Sequence, residues 1–117
     1  MITGPESRTA LLRRYYQAYE TDQRGELESV LHEEFTFSSP EPEDDNIGQA
    51  KYFERCWPQH ERITKFDLLD LCAESESAFV RYWGHVRDGS PWHCVDHVEF
   101  KDDLIFHIDC YFGRDQS

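Results

Sequence analysis

The chain has 117 residues, of which 38% are hydrophobic and 15% aromatic. This length predicts one domain, residues 1–117, built around one apolar core. Twelve basic and 24 acidic residues give a formal net charge of −12, and a field of that sign repels nucleic acid and anionic membranes. No apolar run has the length of a membrane span and no basic, apolar leader opens the chain, so the sequence predicts a cytoplasmic protein.

The first half of the chain predicts three helices. Apolar and aromatic residues recur at helical spacing over residues 5–22, and a shorter run over 27–31 predicts a second helix. Residues 35–38 alternate as a brief strand, and an acidic loop that contains proline follows at 41–45. A third helix is predicted over 47–57, with a proline directly after it.

The second half changes to a period of two, which predicts strands. Four strands are predicted, over residues 62–73, 79–87, 92–100 and 104–112. Asp88 and Gly89 are typical of a tight hairpin turn. Helices followed by hairpin-linked strands predict an α+β fold with a mostly antiparallel sheet.

The connection at residues 101–103 sets the register of the last two strands. A three-residue turn there places Asp96 opposite Ile108, and Cys94 opposite Cys110. Asp96 is then the one polar residue on an apolar interior face. The other residues predicted on this face are Trp92, Cys94, Val98, Phe100, Leu104, Phe106, Ile108, Cys110 and Phe112.

A two-residue turn in the preceding hairpin places Arg81, Trp83 and His85 on the same face as Asp96. A carboxyl group among apolar side chains has its pKa raised by desolvation unless a cation lies close. We therefore predict that Asp96 lies inside the fold, within hydrogen-bonding reach of Tyr15, His85 or Arg81. The alternative is a structural hydrogen bond to one of these groups, without any function.

The four cysteines show no C-x-x-C spacing of the kind that zinc ribbons or thioredoxin-like proteins carry. In a reducing cytosol they are predicted to be buried thiols that pack as small apolar groups. Cys94 and Cys110 are predicted to be cross-strand neighbours on the interior face and to be reduced.

Several segments together resemble a known family. They are Arg14-Tyr15, residues 35–40, residues 95–100 and the closing residues 105–113. Their order and spacing resemble the ketosteroid isomerase branch of the nuclear transport factor 2 superfamily, which includes the SnoaL-like proteins. The resemblance covers nearly the whole chain. It implies a cone-shaped half-barrel, in which three N-terminal helices pack on a curved, mostly antiparallel sheet around a pocket.

By this resemblance, Tyr15 and Asp96 occupy the two positions that stabilise an oxyanion, Asp96 as a protonated acid. The position of the catalytic base falls on Ser39, which cannot take a proton from carbon without a base of its own. The resemblance therefore implies negligible ketosteroid isomerase activity, and His85 or a carboxylate of the 41–45 loop would have to move protons.

The function that follows is binding of a small apolar molecule with a carbonyl or phenol oxygen, by an isomerase, cyclase or hydrolase that needs no cofactor. The alternative is a non-catalytic ligand-binding or dimerisation module that has lost the base. The residues assigned to the pocket wall are Tyr19, Ser39, Phe53, Trp57, Arg81, Trp83, Trp92, Cys94, Val98, Phe106, Ile108, Cys110 and Phe112.

The outer sheet face is predicted to carry a second polar group, formed by His93, His97, His107 and Asp109. Two histidines and a carboxylate can bind zinc or another transition metal. In the resembled superfamily this face often packs against a second subunit, so we favour a homodimer interface and predict no metal.

Overall fold

A computed structural model describes residues 5–112 of the chain. Its helices are Pro5–Glu20 (α1), Arg24–Val30 (α2) and Gln49–Arg55 (α3), and a short 3₁₀ helix, Trp57–Glu61, follows α3. Its strands are Leu31–Ser38 (β1), Ile47–Gly48 (β2), Ile63–Ala73 (β3), Ser77–Val86 (β4), Trp92–Lys101 (β5) and Leu104–Phe112 (β6). Within the described range, no helix is long and apolar enough to cross a membrane. Gly113, which closes the last of the family-like segments, lies outside that range.

The six strands form one curved, unclosed sheet in the order β2-β1-β6-β5-β4-β3. Strands β1 and β6 run parallel, whereas the other neighbouring pairs run antiparallel. The three helices pack on this sheet and leave a cone-shaped interior. The predicted α+β cone fold is therefore confirmed.

Helix α1 covers the interior face of the sheet because its sequence is amphipathic. Leu12 is fully buried and Tyr16 is 3% exposed, whereas Arg13 and Arg14 face solvent. At the end of the helix, the Glu20 carboxylate accepts a 2.6 Å hydrogen bond from the backbone N–H of Phe66 in β3. The last turn of α1 is thereby tied to the strand that it crosses.

The structure differs from the prediction at several element ends. Leu31 begins β1 instead of ending α2, so β1 is twice as long as predicted. The two-residue strand β2 was predicted as the start of the third helix. Pro58 lies inside the 3₁₀ helix, where its missing N–H would be unbonded in any case.

The β5–β6 turn is one residue shorter than predicted. Asp102 and Asp103 form it, both at positive φ (53° and 61°), which suits the tight two-residue hairpin turn. An irregularity between Glu99 and Phe100 then shifts the pairing, so that Asp96 lies opposite Cys110 rather than Ile108. The pairing of Cys94 with Cys110 was wrong for the same reason, because Cys94 lies opposite Phe112.

The register of the β4–β5 hairpin was also wrong, and with larger consequences. Val80, and not Arg81, pairs with Asp96, because residues 87–91 connect the strands instead of a two-residue turn. A slip of one residue moves every side chain of a strand to the other face. Arg81, Trp83 and His85 therefore lie on the outer face, and the interior face of β4 carries Ala78, Val80, Tyr82 and Gly84.

Candidate functional site

A cavity of about 540 Å³ opens between α1, the 3₁₀ helix and the interior face of the sheet. Its wall is mainly aromatic and aliphatic, with polar side chains towards one end. The lining residues are Tyr15, Tyr16, Tyr19, Phe37, Ser39, Asp44, Tyr52, Arg55, Cys56, Gln59, Arg62, Ile63, Phe66, Tyr82, Val86, Ser90, Trp92, Asp96, Cys110 and Phe112. A concave, mostly apolar space with a few convergent polar groups is typical of a small-molecule site.

Asp96 is the carboxyl group of the cavity interior, and it is 3% exposed. Its Oδ2 atom accepts a 2.6 Å hydrogen bond from the Tyr16 hydroxyl, and the Cys94 thiol lies 3.7 Å from its Oδ1 atom as a weak donor. No arginine, lysine or histidine of the described residues forms an ion pair with it. The predicted interior position is correct, but the partner is Tyr16 and not Tyr15, His85 or Arg81.

The environment of Asp96 changes its acidity. Burial raises the pKa of this carboxyl from its ordinary value of 3.8 to about 6, and the hydrogen bond from Tyr16 opposes part of that rise. Both the acid and the carboxylate are therefore populated near neutral pH. The acid can donate a hydrogen bond to an oxygen, and the carboxylate can accept a proton.

Three further tyrosines form a hydroxyl chain in the cavity wall. The Tyr52 hydroxyl lies 2.6 Å from that of Tyr15 and 2.5 Å from that of Tyr19. Burial raises the pKa of all three phenols, so each keeps its proton. Each hydroxyl can both donate and accept a hydrogen bond, so the three groups share their protons within this chain.

The cavity wall carries a second buried carboxylate, that of Asp44, which is already occupied. Asp44 accepts a 2.7 Å hydrogen bond from the Ser39 hydroxyl and forms an ion pair with the Arg55 guanidinium. Glu43 adds a more distant contact of 3.7 Å to the same arginine. The acidic loop thus brings a carboxylate beside Ser39, but it is held in place by two donors.

Two thiols lie beside Asp96 on the interior face. The Sγ atoms of Cys94 and Cys110 are 3.0 Å apart, although the residues are diagonal and not directly opposite. Both cysteines are free, and the contact with Cys94 together with burial raises the pKa of the Cys110 thiol. The Cys110 thiol therefore stays neutral, and both side chains fill the wall behind the carboxyl.

The structure brings together seven of the predicted site residues on the cavity wall: Tyr15, Tyr19, Ser39, Trp92, Asp96, Cys110 and Phe112. Four others are buried in the core that backs the cavity: Phe53, Trp57, Cys94 and Val98. Ile108 is also buried there, at 1% exposure.

Four predicted residues do not reach the interior. Arg81 binds Asp70 on the outer face, and Trp83 stacks on His93. The ring of Phe106 contacts His32 and the Lys101 ammonium group, away from the cavity. The shortened turn shifts the register by one residue, and Phe106 is the extra, unpaired residue where the pairing of β6 with β5 becomes irregular. His85 follows the outer-face register of β4 and cannot reach Asp96.

Sequence reasoning missed Tyr16, Tyr52, Tyr82 and Phe66. Tyr16 and Tyr52 were part of the predicted helices, but helical periodicity does not distinguish a core ring from a hydroxyl that reaches a buried partner. Tyr82 was missed because the predicted register of β4 placed its side chain on the outer face. The local signal for Tyr16 was its position next to Tyr15 on a helix that carries aromatic residues on one face.

A family model described as a SnoaL-like domain matches residues 12–108. No curated protein shows a significant match to the sequence. Among solved structures, a Kribbella flavida protein provisionally assigned as a ketosteroid isomerase is 20% identical, with a TM-score of 0.77 over 97% of this chain and 82% of its own. An NTF2-like protein of unknown function from Burkholderia xenovorans is 16% identical, with a TM-score of 0.76 over 96% and 87% of the two chains.

An epoxide hydrolase from Mycobacterium tuberculosis, described as LEH-like, is 10% identical, with a TM-score of 0.76 over 93% of this chain and 84% of its own. At these identities the structural likeness establishes the fold alone. Proteins of this fold carry different activities, so the activity has to be argued from the site.

Proposed function

Because the chain belongs to the SnoaL-like domain family, we propose that it binds a small, largely apolar molecule in the cavity and exchanges a proton with the oxygen of that molecule through Asp96. The ligand carries a carbonyl or phenol oxygen. The reaction is of the isomerase, cyclase or hydrolase type, in which proton transfer does the chemistry and no cofactor is required.

One observation carries this proposal: a carboxyl group with a pKa of about 6 lies on the aromatic wall of the cavity, and no arginine, lysine or histidine of the described residues forms an ion pair with it. A buried carboxylate without a cation partner lowers the stability of the fold, so its presence on a cavity wall favours a functional role. Groups that exchange protons in catalysis work best when their pKa lies near the working pH.

The hydroxyl chain supports the same ligand chemistry. Tyr15 and Tyr19 line the same cavity as Asp96, and each keeps a hydroxyl proton that can turn towards a bound oxygen. A phenol proton directed at a carbonyl oxygen stabilises negative charge that develops there. Tyr15 and Asp96 would thus hold the oxygen, while the rings of Phe66 and Trp92 pack against the apolar body.

Ligand binding with opposite pH dependence for two probes tests this proposal. A ketone such as para-phenylacetophenone accepts a hydrogen bond, so it should bind more tightly below pH 6, where Asp96 is protonated. A phenol such as para-phenylphenol donates one, so it should bind more tightly above pH 6. The hydrogen bond from the phenol to the charged carboxylate is worth at least about 1.5 kcal/mol, or roughly tenfold in affinity, and that from the neutral acid to the ketone is worth about 0.5–1.5 kcal/mol, or roughly two- to tenfold. Calorimetric titration at pH 5 and pH 8 measures the affinity of each probe at each pH.

Asp96→Asn is the matched control, because the amide has the same shape and does not titrate. Both probes should lose their pH dependence in this variant. If the wild type binds either probe equally at both pH values, Asp96 does not meet the ligand oxygen and the proposal is wrong.

The second candidate is a non-catalytic ligand-binding module. The observation that favours it concerns Ser39, which carries no carboxylate, while the neighbouring Asp44 is bound by Arg55 and Ser39. Such a module would bind both probes as above and turn over no substrate. Negligible ketosteroid isomerase activity stays a prediction under either candidate.

We also propose that two copies associate through the outer sheet face. Phe79 and Tyr111 are 54% and 57% exposed there, and Trp83 is exposed beside them. Exposed apolar side chains that share one face mark an interaction surface. A cytoplasmic location, a single domain and the absence of a nucleic-acid partner stay predictions from the sequence.

Phe79→Asp should convert the dimer to a folded monomer, because it replaces an exposed aromatic side chain of that face with a charge. Light scattering coupled to size-exclusion chromatography measures the mass. Gln17→Asp adds the same charge on the exposed side of α1 and should leave the dimer intact. A wild-type protein that is monomeric at all concentrations would contradict the assembly.

A further inference from the structure

We infer that the ligand is amphipathic, with a carboxylate or another anionic group at the end remote from its carbonyl or phenol oxygen, and that Arg62 binds this group. The inference rests on the proposed function, because it assigns the outer end of the same ligand. It concerns the rim of the cavity, where the wall changes from aromatic to polar.

Burial divides the cavity wall into two ends. Tyr15, Tyr52 and Asp96 are each at most 6% exposed and form the interior end. Gln59, Arg62 and Ser90 line the same cavity but are exposed to solvent, so they form its mouth. A ligand whose oxygen reaches Asp96 therefore presents its other end to these polar side chains.

Among the residues that the structure describes, two arginines line the cavity, and one of these two is available to a ligand. Arg55 is engaged by the carboxylates of Asp44 and Glu43. The Arg62 guanidinium has only a 3.4 Å contact with the neutral amide of Gln59, and no carboxylate within the described range lies within 4.0 Å of it. Its charge thus stays uncompensated although acidic residues outnumber basic ones two to one.

The backbone holds Arg62 at this position. Its N–H donates to the carbonyl of Gln59 at 2.9 Å, and its own carbonyl accepts from the N–H of Arg87 at 3.0 Å. Its Nη2 atom lies 4.0 Å from where a Cβ on Gly89 would stand, so the guanidinium reaches the β4–β5 connection. Arg62 thereby spans two of the segments that border the mouth.

The chemistry of this arrangement selects an anion. A guanidinium offers a planar fork of donors that matches a carboxylate, a phosphate or a sulfate. The net charge of −12 repels an anion at long range, so a preference for an anionic ligand requires a local cation. Arg62 is the cation that the mouth provides.

Three probes of one shape test the inference: para-phenylphenol, the same molecule with a carboxylate at its far end, and the methyl ester of that acid. We expect calorimetry at low salt to show that the wild type binds the acid about two- to fivefold more tightly than the ester, the range of an exposed ion pair. This advantage should fall as salt is added, because exposed charges are screened.

Arg62→Gln should bind the acid no more tightly than the ester, with the affinity for para-phenylphenol unchanged. Arg87→Gln is the matched control: its side chain is bound to the carbonyl of Glu61 and does not line the cavity, so the preference for the acid should survive. Thermal unfolding of both variants shows that each is folded.

The possible failures are distinguishable. If para-phenylphenol does not bind the wild type, the proposed function fails and this inference fails with it. The inference about Arg62 is wrong if para-phenylphenol binds but the acid binds no more tightly than the ester. It is also wrong if Arg62→Gln still binds the acid more tightly. In both cases the proposed function stands. An advantage for phosphonate over carboxylate in the same series would identify phosphate as the anion and support the role of Arg62.

Discussion

Asp96→Asn should make the protein more stable at pH 7.5, by about 3 kcal/mol in the free energy of unfolding, and should have little effect at pH 4. The carboxyl pKa is raised from 3.8 in the unfolded chain to about 6 in the native fold, and a difference of that size corresponds to about 3 kcal/mol. Asparagine keeps the shape and can still accept from Tyr16, but it carries no buried charge.

The direction of this change in the free energy of unfolding follows from the protons that each state binds. Between pH 4 and pH 6 the native state holds a proton on Asp96 that the unfolded chain has released, so wild-type stability falls as the pH rises through this range. Above pH 6, Asp96 is ionised in both states, and the native state bears the full cost of burying its charge. The gap between the variant and the wild type should therefore open between pH 4 and pH 6 and then stay constant.

Urea unfolding at pH 4, 5, 6 and 7.5 measures this gap directly. Asp45→Asn is the matched control, because it removes an exposed carboxyl from the acidic loop and should change stability by at most about 0.5 kcal/mol. A constant difference between Asp96→Asn and the wild type at all four values would show that Asp96 is not desolvated in the native state. The expected gain in stability also indicates that the carboxyl is kept for a reason other than folding.

Val80→Asp should cost about 4 kcal/mol or more, whereas the neighbouring change Arg81→Asp should cost about 1 kcal/mol or less. Val80 is fully buried and lies directly opposite Asp96. A carboxylate at residue 80 loses the packing of the valine and faces another carboxylate in a dry interior. Arg81 faces solvent with Asp70, and exposed ion pairs contribute little.

Chemical unfolding of the two variants compares the faces of β4 with the same incoming residue. If Val80→Asp fails to fold, Val80→Ala and Arg81→Ala provide the comparison, with an expected cost of about 1–3 kcal/mol for the first and below 1 kcal/mol for the second. The opposite order would show that Arg81 points inward and would restore the register expected from the sequence.

The candidate site could be predicted in part because one of its signals is local. A single carboxyl within the alternating apolar pattern of β5 identifies Asp96, whatever its neighbours are. Its partner could not be found in the same way. Tyr15 and Tyr16 are adjacent on α1, and the choice between them depends on the rotation of the helix against the sheet, which the packing of the whole interior decides.

The hydroxyl chain shows the same limit. Tyr52 lies 37 residues from Tyr15 and 33 from Tyr19, and it reaches both because α3 and α1 converge on one side of the cavity. Nothing in the local pattern around Tyr52 distinguishes it from Phe53, which packs in the core. Contacts between residues far apart in the chain are fixed by tertiary packing, and a single sequence does not report them.

The sequence by itself determined the α+β fold, the order of the main helices and strands, and the interior position of Asp96, because periodicity and composition act within one element. Only the tertiary structure decided the register. One residue fewer in the turn at Asp102 and Asp103, and a longer connection after Val86, moved Phe106 and His85 away from the cavity and placed Tyr82 in it. The physical reason is the two-residue period of a strand: a slip of one position costs little in local conformation but exchanges the buried and exposed faces.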